Sequence, residues 1–151
     1  MSKLPLGFRP FYSTIPDGLG NSPSSPALFS LTVVSAQYST GVGVAVNDLV
    51  YINGSGSVDK ADANGSGTFP AIGFVLSKPT TTQAIVQFMG ELSGFSGLTP
   101  NKVLFMSETP GEIVDESSLP ISSGAAIQPV AVARSSSIIA VLIHPDFTLL
   151  S

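Results

Sequence analysis

The chain has no cysteine, no tryptophan and a single histidine among its 151 residues. Without cysteine there are no disulfide bridges, thiolate metal ligands or cysteine nucleophiles. One histidine without cysteine also excludes the usual tight zinc sites, which take several nitrogen or sulfur ligands. That histidine, His144, follows an apolar run, and we interpret it as a strand-end residue rather than the base of a Ser-His-Asp triad. The sequence therefore predicts no cofactor and no metal site.

Charged residues are also scarce, at 11% of the chain with a net charge of −4, where an average domain has about 25%. The six basic residues are scattered singly, so we expect neither nucleic-acid nor membrane binding. A chain with so few charges is expected to bury part of its surface against other copies or a larger partner. The alternative is a monomer with a surface rich in Ser, Thr, Asn and Gly.

Long hydrophobic runs are missing as well. The longest aliphatic run, Ile138 to Ile143, has six residues, whereas a membrane-spanning helix needs about 20. The N-terminus, Met1 to Pro5, has no apolar signal-peptide core. The sequence therefore predicts no membrane association.

Residues 1–27 differ from the rest because proline recurs in them. Proline lacks the amide donor and fixes φ, so neither a helix nor a central strand is expected there. Apolar residues recur between the prolines, a pattern typical of an extended arm that lies on another surface. The alternatives are a frayed terminus or an arm folded over its own domain. The predicted partner-binding residues of the arm are Leu4, Leu6, Phe8, Phe11, Tyr12 and Ile15.

Residues 28–151 read as short strands separated by turns, without a convincing helical period. Asn53-Gly54 is a strong hairpin signal, and 115–123 has room for one helical turn at most. We predict an all-β fold, a compact barrel or sandwich of short antiparallel strands with the Pro-rich arm in front of it. The predicted strands are 28–34, the alternating Val42, Val44 and Val46, then 48–52, 58–61, 71–77, 83–89, 103–107, 112–114, 127–133 and 137–143.

The run from Ile138 to Ile143 is apolar at every position. A strand with one solvated face alternates, so this strand is expected to be covered on both faces. One cover is the core of the domain, and the other is a subunit partner or a second layer of the same chain. We therefore predict a subunit interface at Ile139 and Val141.

Four carboxylates, Glu108, Glu112, Asp115 and Glu116, lie close together in sequence. Glycoside hydrolysis requires only two carboxyl groups, so Glu108 with Glu112 or Asp115 is a candidate pair. The stretch is rich in turns and has no tryptophan to hold a sugar. A solvated acidic loop is the favoured interpretation, and no catalytic residue is assigned.

Several segments between Asp48 and Ile143 resemble a pattern found in bacteriophage virion proteins. One residue departs from the pattern, because Asn101 stands where a second turn glycine is expected after Pro100. This departure concerns the geometry of the local turn and not the class of protein. The segments that carry the resemblance are 47–52 (NDLVYI), 58–63 (VDKADA), 70–75 (PAIGFV), 97–100 (GLTP), 104–111 (LFMSETPG) and 128–133 (QPVAVA).

The resemblance implies a non-enzymatic phage structural protein, most like a capsid decoration (cement) protein on the outer surface of the head. Its implied partners are the major capsid protein and further copies of itself, with which it forms a homotrimer. The protein is expected to be made in the host cytoplasm and to reside on the virion. The scarce charge and the arm at residues 1–27 suit that role. The alternative is a fibre, spike or receptor-binding domain, for which we expect an exposed aromatic or carboxylate cluster.

Overall fold

The computed structural model of the protein describes residues 34–151. The predicted strand at 28–34 lies outside this range except for Val34. The predicted arm, residues 1–27, lies outside the described residues altogether, and so do its proposed partner-binding residues Leu4, Leu6, Phe8, Phe11, Tyr12 and Ile15.

The described residues form an all-β fold, as predicted, in which a curled antiparallel sheet makes a half-barrel. One short 3₁₀ helix at Glu116–Ser118 is the helical turn expected after residue 115. The strands are β1 Val34–Ser39, β2 Leu49–Ile52, β3 Val58–Lys60, β4 Gly73–Thr80, β5 Gln83–Ser93, β6 Val103–Met106, β7 Ile113–Asp115, β8 Ala126–Ile127, β9 Pro129–Ala133, β10 Ile138–Leu142 and β11 Thr148–Leu149.

The main sheet runs in the order β3-β2-β4-β5-β10-β9-β6-β7, and β1 also pairs with β5. A separate two-stranded sheet joins β11 to β8. The Asn53-Gly54 signal is confirmed, because β2 and β3 form a hairpin in which the Asn53 amide donates to the Ser57 carbonyl at 2.8 Å.

Backbone hydrogen bonds outside the strand ladders connect the two ends of this strand order. The Leu49 amide donates to the Gly111 carbonyl at 2.9 Å, and the Gly111 amide donates to the Ala61 carbonyl at 2.8 Å. The Ala63 amide donates to the Ser107 carbonyl, also at 2.8 Å. We call this set of contacts the seam. It joins the β2–β3 side of the half-barrel to the β6–β7 side without a strand ladder.

Two hydrophobic clusters lie on opposite faces of the sheet. Leu49 and Phe74 belong to the main core, whereas their strand neighbours Val50 and Val75 belong to a smaller cluster. Alternate residues of a strand point to opposite faces, so the two clusters are on its two sides. The smaller cluster lies under the segment that contains Val44.

The predicted strand through Val42, Val44 and Val46 is wrong, because this segment is a turn-rich loop. Val44 is buried in the smaller cluster, while Val42 and Val46 are exposed. The Lys78 ammonium donates to the carbonyl of Val44 at 2.6 Å and to that of Gly41 at 3.3 Å. The Lys78 side chain therefore supplies hydrogen bonds that a neighbouring strand would otherwise give to these carbonyls.

Strand β5 contains a bulge that exchanges the faces of its two halves. Val34 of β1 pairs with Met89 and Ser35 pairs with Gln87, which leaves Phe88 as an extra residue. One extra residue reverses the alternation of side chains beyond it. Gln87 before the bulge and Leu92 after it are consequently both buried, and Met89 is exposed.

The predicted subunit interface at Ile139 and Val141 is wrong. These residues are two positions apart on β10, so both point to the same face, and both lie in the main core with 0% and 1% of their surface exposed. The opposite face carries Ala140, which is half-buried, and Leu142, which is 52% exposed. Among the described residues, β10 is therefore fully covered on one face only.

Candidate interaction surface

An apolar row crosses the solvent side of β1, β5 and β10. Met89 pairs with Val34 on one strand and with Leu142 on another. Directly paired residues place their side chains on the same face of a sheet. All three are about half exposed, at 47% for Val34, 50% for Met89 and 52% for Leu142.

A second row continues on the same face across β10, β9 and β6. Ala140 lies two residues from Leu142 and pairs with Val132, which in turn pairs with Val103. Val103 is 38% exposed, and the other two are half-buried. We call the six residues of both rows, namely Val34, Met89, Val103, Val132, Ala140 and Leu142, the outer patch.

The outer patch extends over five strands, about 20 Å at the usual strand spacing of about 4.8 Å. Contiguous apolar patches of a few hundred Å² are the largest that typical monomers expose, and they are often functional. The exposed apolar side chains of the patch therefore have the chemistry of an interaction surface.

One ion pair lies on the same face as the outer patch, across β10 beside Ala140. The Arg134 guanidinium contacts the Glu91 carboxylate at 2.5 Å, and each side chain is 57% exposed. Glu91 pairs with Ala140, and Arg134 directly follows β9, so the ion pair spans β10 near a small side chain. Exposed ion pairs contribute between 0 and about 1 kcal/mol to stability. Its more informative property is that it presents one charge of each sign beside an apolar surface.

The candidate catalytic carboxylate Glu108 is held inside a loop connection. It accepts hydrogen bonds from the amide of Ile121 at 2.7 Å and from the amide and hydroxyl of Ser122, both at 2.9 Å. The bonds from Ser122, followed by the bond from Ile121, lower the pKa of Glu108. The geometry is that of a carboxylate that closes a loop.

Asp115 and Glu116 have local partners of their own. Asp115 caps the 3₁₀ helix, and hydrogen bonds from the hydroxyl and the amide of Ser117 lower the pKa of Asp115. Glu116 contacts the Lys102 ammonium at 2.5 Å, and this contact raises the pKa of Lys102. The acidic stretch is thus divided among separate structural contacts.

Glu112 instead lines an open cleft of about 430 Å³. Asp48 lines the same cleft, but its carboxylate already accepts from the Ala45 amide at 2.7 Å and contacts the Lys60 ammonium at 3.3 Å. Asn47, a third lining residue, donates from its side-chain amide to the Ser93 carbonyl at 3.2 Å. In residues 34–151 no group of three or more His, Asp or Glu side chains is arranged to hold a metal ion.

Glu108→Gln is expected to lower the free energy of unfolding near pH 7, and to lower it by less near pH 3. A carboxylate with a lowered folded-state pKa stabilises the fold above its unfolded-state pKa, and this stabilisation is lost as the pH falls through the folded-state pKa. Urea unfolding at the two pH values measures the difference. Glu112→Gln removes the same charge from an exposed position and is the control. An equal loss in both variants at both pH values contradicts the assignment.

The outer patch was not predicted from the sequence, although one signal pointed near it. The uninterrupted apolar run of β10 indicated that its second face matters, but Ala140 and Leu142 rather than Ile139 and Val141 occupy that face. Met89 joins the patch only because of the bulge in β5. His144 lies exposed just beyond the end of β10, as a strand-end residue.

No helix among the described residues is long and apolar enough to cross a membrane. No protein-family model, curated protein or solved structure matches this chain.

Proposed function

We propose that this chain is a non-enzymatic structural protein of a bacteriophage particle, and specifically a capsid decoration (cement) protein on the outer surface of the head. The observation that carries the proposal is the outer patch, an apolar surface over five strands whose four largest exposures lie between 38% and 52%. Burying such a surface stabilises an assembly in proportion to the apolar area removed from water.

Two further features support an assembly role. The residues that resemble virion proteins lie within the half-barrel, at 47–133, and they include buried side chains of β2, β4, β6 and β9. The carboxylates Glu108 and Asp115 are engaged in loop and helix-cap hydrogen bonds. In the proposed role, residues 1–27 attach to the major capsid protein, and the half-barrels of neighbouring copies contact one another on the virion.

Imaging of decorated particles tests this proposal. Purified full-length protein is added to phage heads and to complete particles, and bound density is located by electron microscopy. Density distributed over the head supports the decoration role. Density confined to the tail indicates the receptor-binding alternative, and the absence of binding to heads and tails alike contradicts both.

Deletion of residues 1–27 is expected to leave the half-barrel folded and to weaken head binding by about tenfold or more, because a few apolar anchors typically dominate such contacts. Circular dichroism checks the fold, and co-sedimentation with heads measures the affinity. Full-length Leu6→Ser with Phe8→Ser is the second variant, since it keeps the chain length. Undiminished binding by both variants excludes the arm as the attachment device.

A further inference from the structure

We propose that the outer patch binds the outer patch of a second copy of this chain, in a two-fold symmetric contact. This inference rests on the proposed function as the setting in which copies are concentrated, and it names the partner of the patch. It differs from the homotrimer that the resemblance to virion proteins implies. In a two-fold contact both copies use the same surface, so the surface must be complementary to itself. Its shape, its apolar side chains and its charges meet that requirement.

The shape of the patch favours the packing of one sheet on another. Ala140 and Val132 lie half-buried at its centre, and Met89, Leu142 and Val103 stand around them with more exposed side chains. Two sheets pack face to face at about 10 Å when the side chains of one fit between those of the other. A half-buried centre surrounded by more exposed side chains allows two identical faces to interdigitate.

The two charges beside Ala140 on the patch face allow a self-complementary contact. Glu91 and Arg134 lie side by side, so a two-fold rotation about an axis near Ala140 brings Glu91 of one copy towards Arg134 of the second. The same rotation makes the reciprocal contact. Attractive charge pairs on both sides of the axis fix the register of the contact more than they add affinity.

The charge of the remaining surface disfavours other contacts between copies. Residues 34–151 contain nine acidic and four basic side chains, so two copies repel each other on average. The six residues of the outer patch are uncharged, and the ion pair of Glu91 and Arg134, which lies beside Ala140 on the same face, is balanced. Two copies can therefore approach through the patch with the least electrostatic opposition. A strongly basic partner would instead be expected to bind the acidic surface outside the outer patch.

Sedimentation of the full-length protein between about 1 and about 500 µM measures the association, since a patch of this size is at the low end of specific interfaces and is expected to bind weakly. Met89→Asp is expected to weaken dimerisation by about tenfold or more. Met89 is half exposed, so the variant is expected to fold. Ile121→Asp is the matched control, since Ile121 is 87% exposed and lies outside the patch, and it is expected to leave dimerisation unchanged.

A charge-reversal experiment tests the geometry of the contact. Glu91→Arg alone and Arg134→Glu alone each place like charges across the two-fold axis, so each variant is expected to dimerise more weakly than the parent. An equimolar mixture of the two is expected to regain dimerisation, because every pair across the axis is then of opposite sign. If Glu91 and Arg134 acted only through their contact within one copy, mixing the two variants would not restore dimerisation.

A thiol probe locates the axis. The chain has no cysteine, so Ala140→Cys carries the only thiol. Facing sheets lie about 10 Å apart, too far for a direct disulfide, so a bifunctional thiol reagent of about that length is expected to cross-link two copies. Ile121→Cys is the control and is expected not to cross-link. A chain that remains monomeric, or a mass that indicates trimers, overturns the two-fold contact.

The outcomes separate this inference from the proposed function. A monomer that loses head binding on Met89→Asp assigns the patch to the capsid partner, which overturns the inference and leaves the decoration role standing. A dimer with the expected mixing behaviour that binds no phage particle supports the inference and overturns the decoration role.

Discussion

Gln128→Leu is expected to lower the free energy of unfolding by about 3–5 kcal/mol, because it leaves two buried backbone groups of Ala71, at about 1–3 kcal/mol each, and a partly buried carbonyl of His144 without partners. Gln128 is fully buried. Its side-chain oxygen accepts from the Ala71 amide at 2.8 Å. Its side-chain amide donates to the carbonyls of Ala71 at 3.0 Å and His144 at 2.6 Å.

The second buried glutamine of the sheet provides a matched control. Gln87 is equally buried, but its side-chain amide makes one hydrogen bond, to the Glu91 carbonyl at 2.9 Å, and its side-chain oxygen has no partner. Gln87→Leu is therefore expected to change stability by less than about 1.5 kcal/mol, since it leaves one backbone carbonyl unpaired and removes an unsatisfied oxygen. Urea unfolding followed by circular dichroism measures both variants. Equal losses would show that the Gln128 network is not the cause.

Gln128 is costly to replace because it joins three separate parts of the chain. It lies between β8 and β9, and its partners are in the segment before β4 and in the segment after β10. Its loss is expected to weaken the docking of the C-terminal segment as well. Hydrogen exchange is therefore expected to increase at the His144 amide, which donates to the Pro129 carbonyl.

Ile139→Asp is expected to prevent folding, because it places a carboxylate in the main core without a partner. Ile139→Ala keeps the residue apolar and is expected to cost about 2–5 kcal/mol through lost burial and the cavity left behind. Circular dichroism assesses the first variant, and urea unfolding measures the second. The reason for both effects is the complete burial of Ile139 by its own chain.

Leu142→Asp on the same strand is the control. Leu142 is 52% exposed on the opposite face, so this variant is expected to fold with a loss below about 1 kcal/mol. A folded, monomeric Ile139→Asp variant would contradict the assignment of this face of β10 to the core. It would instead indicate that the face contacts a second subunit.

Local signals in the sequence predicted the fold class and most of the strands. The Asn53-Gly54 turn and the short apolar runs between turn residues act over a few neighbours, and the structure has hairpins and strands at those places. The predicted strand at 127–133 is divided into β8 and β9 at Gln128, whose side chain serves distant backbone groups. That division depends on contacts far apart in the chain.

The errors have the same physical origin. Val42 to Val46 alternates like a strand, but the Lys78 ammonium satisfies carbonyls of that segment from another strand. The bulge at Phe88 is defined by its pairing with β1, so the exposed position of Met89 cannot be derived from periodicity alone. Ile139 and Val141 were assigned to the wrong face because a run that is apolar throughout does not indicate which side is the core.

The seam has a consequence for the solubility of a protein with so few charges. Unpaired strand edges are templates for aggregation. Here the hydrogen bonds of Leu49, Gly111 and Ala63 occupy backbone groups where the two ends of the strand order meet, and Thr40 bridges to Val58 beside β3. At this junction the half-barrel thereby pairs backbone groups that charged side chains would otherwise have to protect from contact with other chains.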